Sequence, residues 1–418
     1  MIMNRREFLK IAGLSGISFS LSPSRFSFAQ DTTRPPLFLS VHAGGGWDPT
    51  SLCDPKGRVD ENAQDPVNRY FVDQIRTPSA SSPIMWAPMG RNEEFFQAHY
   101  DKLLVVNGID AATNNHSTGT RYLNSGQHTE GHPSFAAMLA ATYGRQLPLG
   151  YITNGGYDIT RGIVPRTRLG QLGVISRIAE PDKDGDRSYH PEEVNTLIGE
   201  YRAARKQRRE ETTSLPQHKK ALNQFFESRS GQNELKRLKE NLPNLDSFAT
   251  AIGQQAAIAL AGYKSELTIS ANLTVGGFDT HGNHDQRQMV AMDRLTQGLM
   301  ELWNEVERLG LQDQVVVMVS SDFGRTPRYN EGNGKDHWPV TSALFMGAGI
   351  SGNRVIGSTD DGVRAKALNP NTFEVDETGE RISPARIHAT LRAKYQLDNA
   401  EITSHFPLEG DAYSNLFG

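Results

Sequence analysis

The chain has 418 residues, of which 37% are hydrophobic, and its formal net charge is −4 at pH 7. Beyond the N-terminal segment it has no long apolar run, which predicts a globular protein with a sizeable core and no membrane anchor. Acids and bases are interspersed, so nucleic acid and anionic membranes are not expected as partners. The single cysteine, Cys53, excludes an internal disulfide.

Residues 1–29 have the pattern of an export signal. The pair Arg5-Arg6 precedes an apolar run at 11–21, which glycines and serines interrupt and which is too short to span a bilayer. Ser27-Phe28-Ala29 predicts cleavage before Gln30. The pattern resembles the twin-arginine signal family, which implies the twin-arginine export machinery as a partner and a periplasmic or extracellular location. An ordinary amphipathic first helix is the alternative interpretation.

Four apolar runs have the length of buried strands: 37–41, 103–106, 267–275 and 315–319. Between the last two, apolar residues recur in steps of three and four from Met289 to Leu309, which predicts a helix with one apolar face that stops at Gly310. Strand, crossover helix and strand are typical of a parallel sheet covered by helices. The sequence therefore predicts an α/β fold with a mostly parallel central sheet and helices on both of its faces.

The stretch from about 180 to 250 differs in character from the rest of the chain. It is charged, helical in pattern and poor in β-branched residues, which predicts a mainly helical insert within a domain that covers 30–418. Its basic run at 205–209 indicates a solvated helix face rather than a polyanion site.

A twelve-residue acidic loop precedes the predicted insert helix. Acids occupy its positions one, three, five and twelve, which is the oxygen spacing of an EF-hand calcium loop. These acids are Asp182, Asp184, Asp186 and Glu193. Arg187 stands at position six, where a glycine is expected, and a left-handed conformation there would cost about 1 kcal/mol. The loop predicts either a structural calcium site or an acidic, solvated turn.

Carboxylates and imidazoles cluster just beyond the predicted strands. Asp48, Asp279 and Asp322 each follow a strand, and the carboxyl ends of parallel strands meet at one edge of a sheet. Carboxylate oxygen and neutral imidazole nitrogen suit zinc, manganese or iron. The sequence therefore predicts a divalent transition-metal site, with zinc or manganese favoured. Its candidate ligands are Asp48, Asp279, His281, His284, Asp322, Asp336 and His337.

The order of these motifs resembles a known superfamily. Asp322-Phe323-Gly324-Arg325-Thr326-Pro327 followed by Gly334-Lys335-Asp336-His337 resembles the late metal motif of the alkaline phosphatase superfamily, particularly its phosphopentomutase branch. Together with the export signal and the Phe-Asp-Thr-His block at 278–281, these blocks resemble more closely the exported bacterial family called domain of unknown function 1501. The resemblance spans nearly the whole mature chain and implies an alkaline phosphatase-like fold.

The superfamily resemblance implies two ion positions. The first would be held by Asp279, His284 and His337, and the second by Asp48 and Asp322. His281 and Asp336 are nearby alternates. Phe323 stands where the superfamily has a histidine ligand, and because phenylalanine cannot bind a metal, one half of the two-ion site is expected to be weakened or absent.

The superfamily nucleophile lies in the loop after the second strand, which here is 114–120. This loop offers a hydroxyl as nucleophile and an imidazole as base or ligand, and a later cation, Arg325 or Lys335, would neutralise the substrate anion. The implied catalytic candidates are Thr118, Ser117, His116 and Arg325. The alternative is a hydroxyl-rich turn whose side chains cap the following helix. Cys53 lacks the Cys-x-Pro-x-Arg spacing of a sulfatase nucleophile.

Two functions stay open on this evidence. The first is an exported metal-dependent hydrolase of phosphate or sulfate esters, which the acids and histidines favour. The second is a non-catalytic secreted binding protein with a degenerate metal site, which Phe323 favours. A Rossmann-type oxidoreductase is a distant third, because Gly44-Gly45-Gly46 lacks the GxGxxG spacing before a helix.

Overall fold

Eight strands form one central sheet in the computed structural model, which describes residues 34–168, 183–184, 187–215, 218–219, 222 and 237–418. In chain order the described strands are β1 Leu37–Gly44, β2 Leu103–Asp110, β3 Tyr151–Thr153, β4 Thr167–Arg168, β5 Lys183–Asp184, β6 Arg187–Ser188, β7 Ser270–Gly276, β8 Val315–Ser321, β9 Gly324–Arg325, β10 His337–Trp338, β11 Val340–Gly347 and β12 Arg354–Ile356. The described α-helices are α1 Asn92–His99, α2 His116–Ser125, α3 Phe135–Tyr143, α4 Glu192–Thr212, α5 Ala251–Lys264, α6 His284–Arg308, α7 Pro384–Lys394 and α8 Glu401–Ser404.

The strand order in the central sheet is β12-β2-β11-β8-β1-β7-β3-β4. Strand β11 is antiparallel to both of its neighbours, and every other neighbouring pair in this sheet is parallel. The prediction of an α/β fold with a mostly parallel sheet is confirmed. As a result β1, β2, β7 and β8 all end at the same edge, and the loops that follow them meet there.

Both faces of the sheet centre are covered. All residues of β8, and all of β1 except Gly44, are buried. Because successive side chains of a strand point to opposite faces, burial along a whole strand requires a packed layer on each side. Helices α3 and α5 both pack on β7 and supply part of these layers. This burial explains why β1 and β8 read as continuous apolar runs.

Two element boundaries differ from the sequence prediction for local reasons. Strand β7 begins at Ser270 rather than at Leu267, because the amide of Leu267 closes the end of helix α5 by donating to Gly262 O. Helix α6 begins at His284, five residues before Met289, after Asn283 in a left-handed conformation with φ 47°. The helix therefore starts inside the predicted metal motif.

The turn after β1 requires glycine at two positions. Gly45 and Gly46 have φ values of 117° and 76°, which L side chains rarely adopt. A Cβ on Gly45 would lie 2.5 Å from the amide nitrogen of Asp279, and one on Gly46 would lie 2.6 Å from the Phe323 ring. Glycine thus lets the loops after β1, β7 and β8 touch one another at the sheet edge.

Helix α4 lies within the predicted insert and has no buried residue along its 21 residues. Just before it, β5 and β6 pair as an antiparallel hairpin. Of the predicted calcium ligands, Asp182 and Asp186 lie outside the described residues, and Glu193 lies in the first turn of α4. The calcium site and the insert boundaries stay predictions.

The export signal at 1–29 also lies outside the described residues. None of the described helices is both long enough and apolar enough to cross a bilayer.

Candidate metal centre

Three imidazoles converge on one carboxylate oxygen at the carboxyl edge of the sheet. The Nε2 atoms of His281, His337 and His116 lie 3.1, 3.5 and 3.6 Å from Oδ1 of Asp279. The Nε2 atoms of His281 and His337 are 2.9 Å apart. One ligand atom from each of His116, Asp279 and His337 falls within 4.8 Å of the others, a spacing that one ion can bridge. We call these four residues the histidine centre.

Two histidines of the centre are held by carboxylates on their other ring nitrogen. Nδ1 of His116 lies 2.6 Å from Oδ2 of Asp322, and Nδ1 of His281 lies 2.9 Å from Oδ1 of Asp336. A carboxylate on Nδ1 keeps the proton there and leaves the Nε2 lone pair for a ligand. Asp322 and Asp336, which the sequence predicted as ligands, therefore orient two of the imidazoles.

The third histidine is fixed by a backbone carbonyl. Nδ1 of His337 donates to the carbonyl oxygen of Asn114 over 2.8 Å, so its Nε2 carries the free lone pair. Burial lowers the pKa of His337 below its usual range, and the nearby Arg325 charge lowers this pKa further, whereas the Asn114 carbonyl raises it. The ring is therefore neutral near pH 7, the form that binds a metal.

Arg325 holds Asp279 by a hydrogen bond from the interior of the protein. Its guanidinium is wholly buried and donates to Oδ1 of Asp279 over 2.8 Å, to Gly46 O over 2.8 Å and to Lys335 O over 3.0 Å. Partial burial opposes ionisation of Asp279, but Arg325 outweighs it and holds the pKa of this carboxyl below its usual range. The sequence assigned Arg325 to a substrate anion. In the structure its donors are engaged inside the protein.

Asp322 lies beneath the histidine centre between two imidazoles. Its Oδ1 is 2.9 Å from Nε2 of His42, and its Oδ2 contacts His116 and accepts from the amide of Gly45 over 3.1 Å. Burial would raise the pKa of Asp322, yet His42 and His116 lower it to about 2. The carboxylate is therefore ionised and ties helix α2 to strands β1 and β8.

Phe323 forms the apolar floor of the centre. Its ring is wholly buried, with centroids 4.8 Å from the His116 ring and 4.4 Å from the His337 ring. The sequence identified this position as a lost ligand. In the structure the ring packs against two histidines and limits the orientations that they can adopt.

Asp48 and His284 belong to a second, fully buried cluster. Oδ2 of Asp48 lies 2.6 Å from Nζ of Lys335 and 3.0 Å from Nε2 of His284. Although burial opposes it, Lys335 and His284 hold the pKa of Asp48 far below its usual range, whereas burial lowers the pKa of His284. The other ring nitrogen of His284 pairs with Thr280 Oγ1 at 2.8 Å. The structure thus groups His284 with Asp48, whereas the sequence grouped it with Asp279 and His337.

The predicted nucleophile lies in the first turn of helix α2. Asn115 caps this helix, and its Oδ1 accepts from the amide of Thr118 over 3.1 Å and from the Thr118 hydroxyl over 3.3 Å. Ser117 is exposed on the same turn. The turn caps the helix, as in the alternative that the sequence left open, but the cap is the Asn115 amide rather than a hydroxyl. Cys53 is buried and donates to Ser342 Oγ over 3.3 Å, and burial raises the pKa of its thiol to about 12, which excludes thiolate chemistry near neutral pH.

Comparison with models of known protein families identifies the family of this chain. The family model described as "Protein of unknown function (DUF1501)" matches residues 37–150 and 160–409. The chain belongs to this family. The resemblance inferred from the ordered motifs is therefore confirmed at the family level. No curated protein matches the chain.

Solved structures similar to this DUF1501 chain are distant in sequence. The protein Ps i-CgsB is 10% identical, with 92% of this chain and 76% of that chain covered and a TM-score of 0.44. The PsFucS1 sulfatase from Pseudoalteromonas sp. is 9% identical, with 92% and 72% covered and a TM-score of 0.39. A TAB5 alkaline phosphatase mutant with Mg bound is 8% identical, with 78% and 95% covered and a TM-score of 0.32.

Several residues of this DUF1501 chain contribute to the two clusters without having been predicted, among them His42, Asn114 and Asn68. His42 lies within β1, where an isolated histidine in an apolar run reads as a core residue. Asn114 contributes a backbone carbonyl, which any residue type could supply. Asn68 contacts Lys335 from a long irregular loop. Of these residues, His42 could have been identified as a site residue from the sequence, because the glycine turn that leads to Asp48 follows it closely.

Proposed function

We propose that this chain is an exported metal-dependent hydrolase of phosphate or sulfate esters that uses one divalent transition-metal ion. The ion would be held by His116, His281, His337 and Asp279. The observation that carries the proposal is the convergence of three imidazole Nε2 atoms within 3.6 Å of one carboxylate oxygen. Each of these imidazoles is also held through Nδ1 by an oxygen acceptor, as metal-ligating histidines are.

The donor set fits a transition metal. Three imidazole nitrogens and one carboxylate oxygen are ligands that zinc and manganese accept, and a hard cation such as calcium would prefer oxygen alone. The side chains of His281 and Asp279 are 46% and 51% exposed, so an ester group can approach this centre from solvent. When bound, a divalent ion would supply Lewis-acid polarisation of an ester oxygen.

The residues around the centre have separate roles in this proposal. Arg325 keeps Asp279 ionised and positioned, and Asp322 and Asp336 hold the Nδ1 protons of two histidines. Because the Thr118 hydroxyl is engaged by the helix cap, we assign attack on the ester to water rather than to Thr118. This assignment predicts direct hydrolysis without a covalent enzyme intermediate.

Export belongs to the same proposal and is supported by the sequence alone. The paired arginines and the Ser-Phe-Ala site at 27–29 predict a periplasmic or extracellular product that passes through the twin-arginine machinery. The predicted calcium loop is part of this proposal as well, since calcium is abundant outside the cytoplasm.

The test is metal analysis combined with an ester assay. The mature chain from Gln30 is dialysed, its zinc and manganese content is measured, and aryl phosphate, phosphodiester and sulfate esters are offered. We expect about one ion per chain, and loss of both ion and hydrolysis in His337→Ala. His405→Ala, an exposed histidine, is the matched control and should keep both. Absence of a retained ion in the wild type would contradict the proposal.

One observation favours the second function, a non-catalytic secreted binding protein that retains an ion. Arg325 and Lys335, the two cations expected to meet a substrate anion, are both wholly buried and donate to carboxylates of the chain itself, Asp279 and Asp48. A chain that retains one ion and hydrolyses none of the three ester classes would support this function over the hydrolase.

A further inference from the structure

The ammonium group of Lys335 occupies a cage of oxygen atoms. Its Nζ lies 2.6 Å from Oδ2 of Asp48, 2.9 Å from Oδ1 of Asn68 and 3.4 Å from Oγ1 of Thr50. An ammonium has three N–H donors, and three oxygen acceptors surround this one. Lys335 and Asp48 are wholly inaccessible to solvent. The geometry is that of a small cation coordinated inside the protein.

The remaining contacts of the cage complete the charge balance. Oδ1 of Asp48 accepts from the amide and the hydroxyl of Thr50, at 2.9 and 2.6 Å, so this carboxylate has partners on both oxygens. The ring of Tyr329 lies with its centroid 5.2 Å from Nζ of Lys335, which adds a cation–π contact. A buried cation with a buried counter-ion and satisfied donors leaves no net charge to attract a second cation.

We propose that Lys335 is a built-in cation that takes the place of a second metal ion at Asp48. The sequence assigned Asp48 to a second ion position, and the residues present do not fit a metal there while the ammonium is in the cage. It follows that, of the two described clusters, the histidine centre binds the transition-metal ion and the Asp48 cluster does not. Removal of the amine should convert the cage into a cation site formed by Asp48, Asn68, Thr50 and His284.

The test compares Mn²⁺ content in the wild type, Lys335→Ala and Lys335→Met after saturation and dialysis. We expect Lys335→Ala to hold one ion more than the wild type and to gain thermal stability on Mn²⁺ addition. Lys335→Met is the matched control, because its side chain fills the space without charge and should leave the count unchanged. The double variant Lys335→Ala/Asp48→Ala should lose the extra ion.

The readout is the difference in ion count, so it separates this inference from the proposed function on which it builds. If the histidine centre held no ion, the wild type would bind none and Lys335→Ala would bind one. An equal count in wild type and folded Lys335→Ala would overturn the inference. A wild type that retains two ions would overturn it as well, and this measurement holds even where the variants do not fold.

Discussion

Of the three strand-end carboxylates, Asp279 keeps half of its side chain accessible, whereas Asp48 and Asp322 are buried. Each has a cationic or imidazole partner, and in each case that partner holds the carboxyl pKa below its usual range. The ionisation state therefore does not distinguish the three carboxylates. Accessibility does, because an entering ion or substrate can reach Asp279 while the other two carboxylates are enclosed by protein. The same residue type at three equivalent strand ends thus has one binding role and two supporting roles.

Asp336 offers a test of how strongly an outer partner controls the centre. Asp336→Asn should weaken ion binding by about 10- to 100-fold, because an uncharged amide oxygen accepts from Nδ1 of His281 more weakly than the carboxylate and no longer raises the basicity of the ring. Affinity is measured by competition with a chelator of known strength. Asp313→Asn, at an exposed position, is the control and should leave affinity unchanged. Equal affinities for both variants would show that His281 needs no charged partner.

At the scale of elements, the sequence predicted the strands that are buried on both faces, because such strands read as plain apolar runs. It did not predict β11, whose apolar residues are mixed with Thr341 and Ser342 and which runs against its neighbours. From the sequence, the residues that follow the parallel strands could be assigned to one edge of the sheet. The sequence could not predict which histidine meets which carboxylate, since this depends on loop conformations such as the glycine turn at Gly45. It also depends on Lys335, which the sequence assigned to a substrate anion and which pairs with Asp48 in the structure.

Helix α2 carries His116 and approaches the end of β8 very closely at Gly119. A Cβ on Gly119 would lie 2.3 Å from the carbonyl oxygen of Asp322, so the backbone itself would have to move. We expect Gly119→Ala to lower the free energy of unfolding by about 1–3 kcal/mol and to weaken ion binding through displacement of His116. Denaturant unfolding and metal analysis measure the two effects.

Gly199→Ala is the matched control for this prediction. Gly199 lies within α4, and a Cβ there would meet open space. Alanine should raise the free energy of unfolding by up to about 1 kcal/mol, because it is the better helix former. If Gly119→Ala behaved in the same way as Gly199→Ala, the close approach of α2 to β8 would not be needed for the site.

The packing of α7 on α2 includes a buried histidine with a defined pH response. Nε2 of His388 donates to Leu123 O over 3.0 Å, and burial lowers the pKa of His388 to about 4, although this bond raises it slightly. The folded state keeps His388 neutral, and the unfolded chain binds a proton below about pH 6.5. Stability contributed by this group is therefore present above pH 6.5 and lost as the pH falls towards 4, by about 3 kcal/mol in total.

His388→Gln should reduce this acid sensitivity. Glutamine retains an N–H donor for Leu123 and does not titrate, so the difference in unfolding free energy between pH 7 and pH 4 should be smaller than in the wild type. Urea unfolding of chelator-treated protein at several pH values gives the comparison. His405→Gln serves as the exposed control. Parallel pH profiles for wild type and His388→Gln would show that this histidine is not the titrating group.

At the scale of the whole molecule, the histidine centre joins segments that lie far apart in the chain, at 116, 279–281 and 337. Such a site exists only after the sheet has assembled, so an ion would bind the folded state and stabilise it. A protein exported unfolded would acquire its ion outside the cytoplasm, whereas one exported folded would acquire it inside. For the exported chain that we propose, the route therefore also decides which metal pool it meets.

The signal pattern at 1–29 predicts the folded route. Replacing Arg5 and Arg6 by lysine should trap an uncleaved, folded precursor in the cytoplasm, because the twin-arginine pattern would be lost while the apolar run stays intact. Fractionation and N-terminal sequencing provide the measurement, and the wild type should begin near Gln30 outside the cytoplasm. A Lys10→Arg variant keeps the paired arginines and should be processed normally. Normal processing of the double-lysine variant would contradict export in the folded state. Export of the unfolded chain, with metal uptake afterwards, would then be the consistent alternative.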